Sequence, residues 1–405
     1  PNASAINQRL VDSLASEKDR DVIVYTLFAL ERRKAKEALD TFVVLSQSLD
    51  RDQRLFATRG LKALAPDPRT ALALLSALDD SGIALATIRS DGQKLVMGSI
   101  KPDWRVACEA ALALGAFDVV NVGLNDNELL HELPRALASE SAHVRRCVWE
   151  AIGAASERNT ATSTALQRAV TPRDDDGSIV PRYEPSTWVR AAMLDADLGF
   201  LKHAPDAVVD EEMRTLSAAY SKKSVEERVG FLRGISALDA ERALPVLLEC
   251  VKDPQFVVGE TAIEMLAKFP TPQVREALHQ ILAFGDNGLR LAAVTSLLEM
   301  PDASDLEPLT RCYESSSGDG ANEIRFNALR CVAKFGGDGA RALLMKGLSD
   351  ASPFVRRVAR EELLKLDPKA KEALDGVVYE ARPEPIEALD LPSYTTNPIV
   401  DVVTN

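Results

Sequence analysis

The sequence is poor in cysteine, histidine and aromatic residues, and it has no long apolar run. Its 405 residues include five cysteines, four histidines and 5% aromatic residues. It contains no C-x-x-C pair and its number of cysteines is odd, so neither a disulfide framework nor a zinc cluster is predicted. No segment approaches the roughly 18 consecutive apolar residues that cross a bilayer. A membrane span is therefore not predicted either.

Recognisable catalytic patterns are also missing. The chain has no G-x-S-x-G, no phosphate-binding glycine loop and no dinucleotide fingerprint. The run Asp174-Asp175-Asp176-Gly177 does not alternate its oxygen ligands or end in a glutamate, as a calcium loop does. The histidines share no metal spacing with cysteine or carboxylate; they are His131, His143, His203 and His279. We therefore predict no catalytic residue, no cofactor, no metal site and no enzymatic activity for this chain.

The charge balance is acidic. The chain has 48 basic and 61 acidic residues, a net charge of −13. Such a balance argues against general attraction to nucleic acid or anionic lipid, although a local basic patch stays open.

One pattern is abundant, an internal repeat. An apolar residue, usually followed by arginine, recurs with small or apolar residues three, six and seven positions on, as in VRRCVWEAIGAA from Val144 and VRRVAREELLKL from Val355. This spacing marks one face of an α-helix. The position of the arginine recurs every 31 to 51 residues. Its occupants are Arg54, Arg105, Arg145, Arg190, Arg228, Gly259, Arg290, Arg325 and Arg356.

A second amphipathic segment precedes each copy, so each repeat is predicted to be a helical hairpin. Turn residues such as Gly285-Asp286 and Ser352-Pro353 separate the paired segments. A single hairpin cannot bury its apolar face, so neighbouring hairpins must share a core. We predict an all-α, right-handed α-α superhelix of about ten hairpins over residues 1–376. Cys108, Cys147 and Cys331 fall on apolar stripes, where a thiol packs as a small hydrophobe.

These segments resemble the HEAT-repeat family. The stretches from Leu133 to Ala155 and from Leu244 to Phe269 are similar to its Leu-Pro opening, acidic turn, Val-Arg and Ala-x-x-Ala-Leu core. Gly259 departs from the pattern at the arginine position. The resemblance implies that the arginines and turn aspartates form a hydrogen-bonded ladder between repeats. We therefore assign a structural role, in preference to anion binding, to Arg145, Arg190, Arg290, Arg325 and Arg356.

Two insertions interrupt the repeat. Residues 83–100 alternate around Asp91-Gly92 and predict a surface β-hairpin. Residues 171–187 contain three prolines and three consecutive aspartates, which predicts a long loop.

The end of the chain differs in composition. Residues 377–396 read as a Pro-rich linker, and residues 397–405, NPIVDVVTN, are β-branched. This nonapeptide resembles the first strand of a cyclophilin-type peptidyl-prolyl isomerase and implies a parent protein that joins the repeats to such a domain. A tail that docks on the repeats is the alternative.

The sequence thus favours a scaffold that binds a protein or peptide in a groove of the repeats. The alternatives are a nucleic-acid-binding repeat protein, a bilin-lyase-like repeat protein with a reactive thiol, and an isomerase in its own right. The partner, the oligomeric state and the compartment, cytoplasmic or bacterial periplasm and cell envelope, are not legible in the sequence.

Overall fold

The computed structural model describes residues 3–80, 84–88, 94–99, 103–118, 128–173 and 182–367. The chain divides into two compact units, Pro1–Met300 and Pro301–Asn405, and we describe each by itself. The predicted linker at 377–396 and the predicted strand at 397–405 lie outside the described residues, as does the aspartate run at 174–176.

The described part of the first unit contains sixteen α-helices and two strands. They are α1 Ala3–Leu14, α2 Arg20–Arg32, α3 Leu39–Leu45, α4 Arg51–Leu64, α5 Pro68–Leu78, β1 Ala84–Ile88, β2 Lys94–Ser99, α6 Trp104–Leu114, α7 Glu128–Arg135, α8 Ala142–Ser156, α9 Thr160–Val170, α10 Thr187–Leu201, α11 Asp206–Ala219, α12 Val225–Ile235, α13 Ala240–Cys250, α14 Phe256–Leu266, α15 Pro272–Phe284 and α16 Asn287–Glu299. In the second unit the described helices are α17 Leu306–Ser315, α18 Asn322–Phe335, α19 Gly337–Gly347 and α20 Pro353–Leu366.

The predicted repeat is present as packed helical hairpins. In the first unit each even-numbered helix from α2 to α16 packs against the next even-numbered one, and we call this series the second-helix row. Most odd-numbered helices pack against the even-numbered helix that follows, as α5 does on α6 and α15 on α16. In the second unit α18 packs on α20, and α17 and α19 flank them. The all-helical prediction is therefore correct for the repeats.

Helix starts follow from the turn residues of the sequence. The side chains of Asp50, Ser141 and Asp286 accept hydrogen bonds from backbone amides in the first turns of α4, α8 and α16. Ser224 and Glu227 form a reciprocal capping box at α12. Each such cap satisfies amides that have no partner within the helix, an effect of about 1 kcal/mol.

Small residues set how closely the second helices approach one another. A Cβ added at Gly230 of α12 would lie 2.2 Å from the carbonyl oxygen of Ala191 in α10. One added at Gly115, just after α6, would lie 2.8 Å from the Cα of Ala151 in α8. The apolar faces between these helices are fully buried, for example at Val148, and each such side chain contributes about 1.5–3 kcal/mol. Close backbone approach and apolar burial together stabilise the packing of neighbouring second helices.

The two insertions lie between helices. Strands β1 and β2, between α5 and α6, pair antiparallel, with Thr87 opposite Leu95 and an irregularity between Leu85 and Ala86. The predicted turn at Asp91-Gly92 lies outside the described residues. The segment between α9 and α10 is not helical at its described ends, 171–173 and 182–186. None of the described helices is long and apolar enough to cross a membrane.

Candidate functional site

The recurrent arginines form a ladder on the turns of the hairpins. Arg145 Nη1 donates to the carbonyl oxygens of Ser139 and Glu140 in its own turn, at 2.9 and 3.0 Å. Its Nε reaches Glu184 Oε2 in the following repeat at 2.8 Å. The same double attachment recurs at Arg54 and Arg190 in the first unit and at Arg325 in the second. Arg228 makes the cross-repeat bond alone. The cross-repeat pairs are Arg54–Asp80, Arg145–Glu184, Arg190–Glu227, Arg228–Asp253 and Arg325–Asp350.

Burial and pairing make the ladder a structural element. Arg54 and Asp80 are 3% and 9% exposed, and Asp80 also accepts a hydrogen bond from the amide of Asp103. The hydrogen bond from Arg145 holds the pKa of Glu184 below its ordinary value. Arginines that are buried and paired in this way, such as Arg54, Arg145 and Arg325, are not available to an external anion. Arg228 is paired with Asp253, although its buried Nε has no hydrogen-bond partner among the described residues. The structural assignment of Arg145, Arg190 and Arg325 is confirmed.

Three other arginines of the series, Arg105, Arg290 and Arg356, make no cross-repeat pair among the described residues. Arg105 bonds Asp103 of its own turn at 2.8 Å and is 41% exposed, so the sequence register was wrong there. In α6, Val106 occupies the buried place that Val144 occupies in α8, so Arg105 points outward. Arg290 Nη2 bonds the carbonyl oxygen of Ala283, and Arg356 Nη1 bonds those of Asp350 and Ala351. Arg290 and Arg356 thus stabilise their own turns.

A row of exposed aromatic side chains crosses the second helices. Trp104, His143 and Trp188 occupy the first or second residue of α6, α8 and α10. The rings of Trp104 and His143 stack with centroids 4.3 Å apart, and those of His143 and Trp188 lie 6.2 Å apart. Trp104 and Trp188 are 47% and 53% exposed. We call these three residues the aromatic row. The remaining tryptophan, Trp149, is buried, with the Arg182 guanidinium 4.7 Å from its ring.

A groove of about 570 Å³ begins beside this row. Its floor is formed by small residues and one carboxylate, Ala191, Ala192, Gly230 and Asp195. Its walls are apolar and charged; they are Arg146, Glu150, Trp188, Val225, Glu226, Val229, Arg233 and Val257. All of these residues belong to α8, α10, α12 and α14, so the groove runs across four successive second helices.

Asp195 is the unusual group of the groove. It is half-buried on α10, and burial raises the pKa of its carboxyl to about 6. The nearby cations Arg233 and Lys268 oppose this rise, whereas Glu157 and Glu150 add to it. Among the described residues no hydrogen bond or ion pair within 4.0 Å reaches the Asp195 carboxylate, although Arg146 and Glu150 pair at 3.3 Å on the wall.

The cysteines offer no accessible nucleophile. All five are free and buried. Cys108 of α6 and Cys147 of α8 are neighbours between two adjacent second helices. A hydrogen bond with the Cys147 thiol, together with burial, raises the pKa of Cys108. A raised pKa keeps the thiol protonated, which lowers its reactivity. Their predicted packing role is confirmed, and no metal-holding group of side chains occurs in the described part of the chain.

The sequence interpretation missed both the aromatic row and Asp195. A signal for the row was present, because His143 and Trp188 each stand two positions before an arginine of the repeat. Asp195 had no comparable signal, because nothing in the sequence distinguishes it from Asp197, which lies two positions further along α10.

The fold and the ladder define an α-helical repeat protein built from stacked hairpins. Residues 212–294 and 244–321 match the family model described as HEAT repeats. No curated protein matches the chain.

The solved structures to which the chain is similar include two of low identity. An engineered protein is 15% identical, with 90% of this chain and 99% of that one covered and a TM-score of 0.35. The complex of CpcE and CpcF of phycocyanin lyase from Nostoc sp. PCC7120 is 16% identical, with 76% of this chain and 92% of that one covered and a TM-score of 0.37.

Proposed function

We propose that the chain is a non-enzymatic scaffold that binds an extended segment of another protein across α6, α8, α10, α12 and α14. The observation that carries this proposal is the aromatic row, two of whose members are tryptophans about half exposed, beside an open groove. Tryptophan is enriched among the residues that dominate binding energy at protein interfaces. Exposed aromatic surface that continues into a groove marks an interaction site.

The shape of this footprint favours an extended peptide over a globular partner. The row and the groove are continuous at Trp188 and cross five successive helices. Packed helices lie about 8–10 Å apart, so the footprint is about 35–40 Å long. An extended chain covers about 3.3 Å per residue, and about 12 residues therefore span it.

The rival functions have less support. A nucleic-acid partner would meet a chain of net charge −13 whose recurrent arginines are paired. A thiol-dependent lyase would need a reactive cysteine, and all five cysteines are buried.

The proposal extends to a parent protein. The resemblance of NPIVDVVTN to the first strand of a cyclophilin-type isomerase supports a polypeptide in which this scaffold holds a client segment while an isomerase domain acts on it. A proline-isomerisation assay on the 405-residue chain is expected to be blank. Activity in that assay would contradict the non-enzymatic assignment.

Binding can be tested with a displayed library of random peptides of about 15 residues, selected on the full chain. Selected peptides are expected to quench or shift tryptophan emission, because Trp104 and Trp188 are exposed and Trp149 is buried. Trp104→Ala combined with Trp188→Ala should weaken binding about tenfold or more, a loss of about 1.4 kcal/mol or more.

The matched control is Phe284→Ala. Phe284 is 89% exposed at the end of α15, outside the row and groove, so its removal should leave peptide affinity unchanged. A library that yields no binder, or binders indifferent to both tryptophans, would refute the proposed function.

A further inference from the structure

Asp195 presents an acceptor that the described chain leaves without a donor. Two carboxylates in the turns before second helices, Glu184 and Asp350, each have several donors. Glu184 holds Arg145 and the amide of Ser186, while Asp350 holds Arg325, Tyr313 Oη and the amide of Ser352. Asp195 has no such partner within 4.0 Å among the described residues, yet it lines an open groove. A shielded carboxylate of this kind is stabilised by an incoming cationic donor.

The groove is lined by small residues near Asp195, where the backbones of α10 and α12 approach closely. Ala191 and Gly230 carry little or no side chain there, and a Cβ at Gly230 would strike the Ala191 carbonyl. The groove, of about 570 Å³, is large enough to admit one long side chain. A long side chain can therefore reach the carboxylate from above.

The walls suit a side chain that is apolar along its length and cationic at its end. Trp188, Val225, Val229 and Val257 provide apolar surface, and an aromatic face also attracts a cation. Among the lining residues three carboxylates, Glu150, Asp195 and Glu226, outnumber two guanidinium groups, Arg146 and Arg233. The net charge of −13 further favours encounter with a basic partner.

We propose that the bound segment inserts a basic side chain, arginine or lysine, into this groove, with its cation on the Asp195 carboxylate and its aliphatic part against Trp188. This inference rests on the proposed function and specifies its partner as a segment with a basic residue at one fixed position. Trp188 then links the contact made on the aromatic row with the contact made in the groove.

The titratable and charged groups that face Asp195 determine how pH acts on this contact. They are Arg146, Glu150 and Glu157 from α8 and its end, Glu226 and Arg233 from α12, and Lys268 just after α14. With a carboxyl pKa of about 6, Asp195 is ionised at pH 7.5 and mostly protonated at pH 5. The affinity for a basic peptide should fall by up to about tenfold between these two values.

The test uses the peptides selected on the full chain. They are expected to share one arginine or lysine position, and replacing that residue by the neutral isostere citrulline should weaken binding about tenfold. Asp195→Asn should cause a similar loss and remove the difference between pH 5 and pH 7.5. Glu241→Gln, an equal charge change at an exposed position of α13, should do neither.

The outcomes separate this inference from the proposed function. If no peptide binds, or if binding ignores Trp104 and Trp188, the proposed function fails and this inference fails with it. If peptides bind through the tryptophans but share no basic position, or tolerate Asp195→Asn, only the assignment of Asp195 is overturned.

Discussion

Two groups of charged side chains lie on the second helices, and they differ in whether the chain itself supplies their partners. On the turns, a ladder arginine such as Arg54 is buried against a carboxylate of the next repeat and carbonyl oxygens of its own turn. In the groove, the Asp195 carboxylate is shielded but has no partner within 4.0 Å among the described residues. The same helices thus combine charges that stabilise the array with a charge that is left for another molecule.

The largest effect is expected from breaking the ladder. Arg325→Met removes a cation that is 7% exposed and leaves Asp350, equally buried, without its charge partner. Such a loss costs about 3–5 kcal/mol of unfolding free energy. Urea unfolding of the full chain, followed by circular dichroism, measures it. The control is Arg311→Met, because the Arg311–Glu307 pair is 76% and 69% exposed and contributes below about 1 kcal/mol. Equal losses in the two variants would show that ladder burial is unimportant.

A smaller effect is expected where the groove floor depends on backbone contact. Gly230→Ala places a Cβ about where the Ala191 carbonyl stands, so α10 and α12 must separate. Overpacking of this kind costs about 1–3 kcal/mol, and amide hydrogen exchange in α10 and α12 should accelerate. Gly153→Ala is the graded comparison, since its Cβ would lie 3.3 Å from the Cα of Ala196. A stabilised Gly230→Ala variant would contradict the close approach.

The smallest expected change is a gain in stability rather than a loss. Burial raises the carboxyl pKa of Asp195 to about 6, above its ordinary value of 3.8, so ionisation of this group disfavours the folded state. Its contribution to stability is present at pH below 4 and is lost as the pH rises through 6. Asp195→Asn should therefore stabilise the free chain at pH 7 by about 1–2 kcal/mol, with little gain at pH 4.

Thermal denaturation at the two pH values checks this prediction. Glu241→Gln should show no comparable gain at either pH. A destabilised Asp195→Asn variant at pH 7 would mean that the carboxylate is already compensated within the chain.

Much of the fold followed from the sequence because the repeat combines apolar periodicity with capping residues. The pair of a β-branched apolar residue and arginine placed Arg145 and Arg325 correctly, since buried Val144 and buried Ile324 fix the direction of the next side chain. The partners of the ladder were harder to predict. Glu227 caps its own helix α12 and also receives Arg190 from the previous repeat, which depends on how two hairpins stack.

The groove was beyond sequence reasoning for a similar reason. Asp195 and Asp197 lie on the same helix, but Asp197 meets Arg182 at 3.2 Å whereas Asp195 faces the groove. The rotation of α10 against α8 and α12 decides between them, and that rotation is set by small residues such as Gly230. Local composition does not encode it.

Gly259 interrupts the arginine ladder of the first unit. At the position where other repeats carry arginine it has no side chain, and the Val251 carbonyl lies only 3.0 Å from the place where a Cβ would stand. The ion pair to the next repeat that Arg145 and Arg228 form cannot form from this position. We therefore expect local opening of the first unit to begin where the hairpin α13–α14 stacks on the hairpin α15–α16.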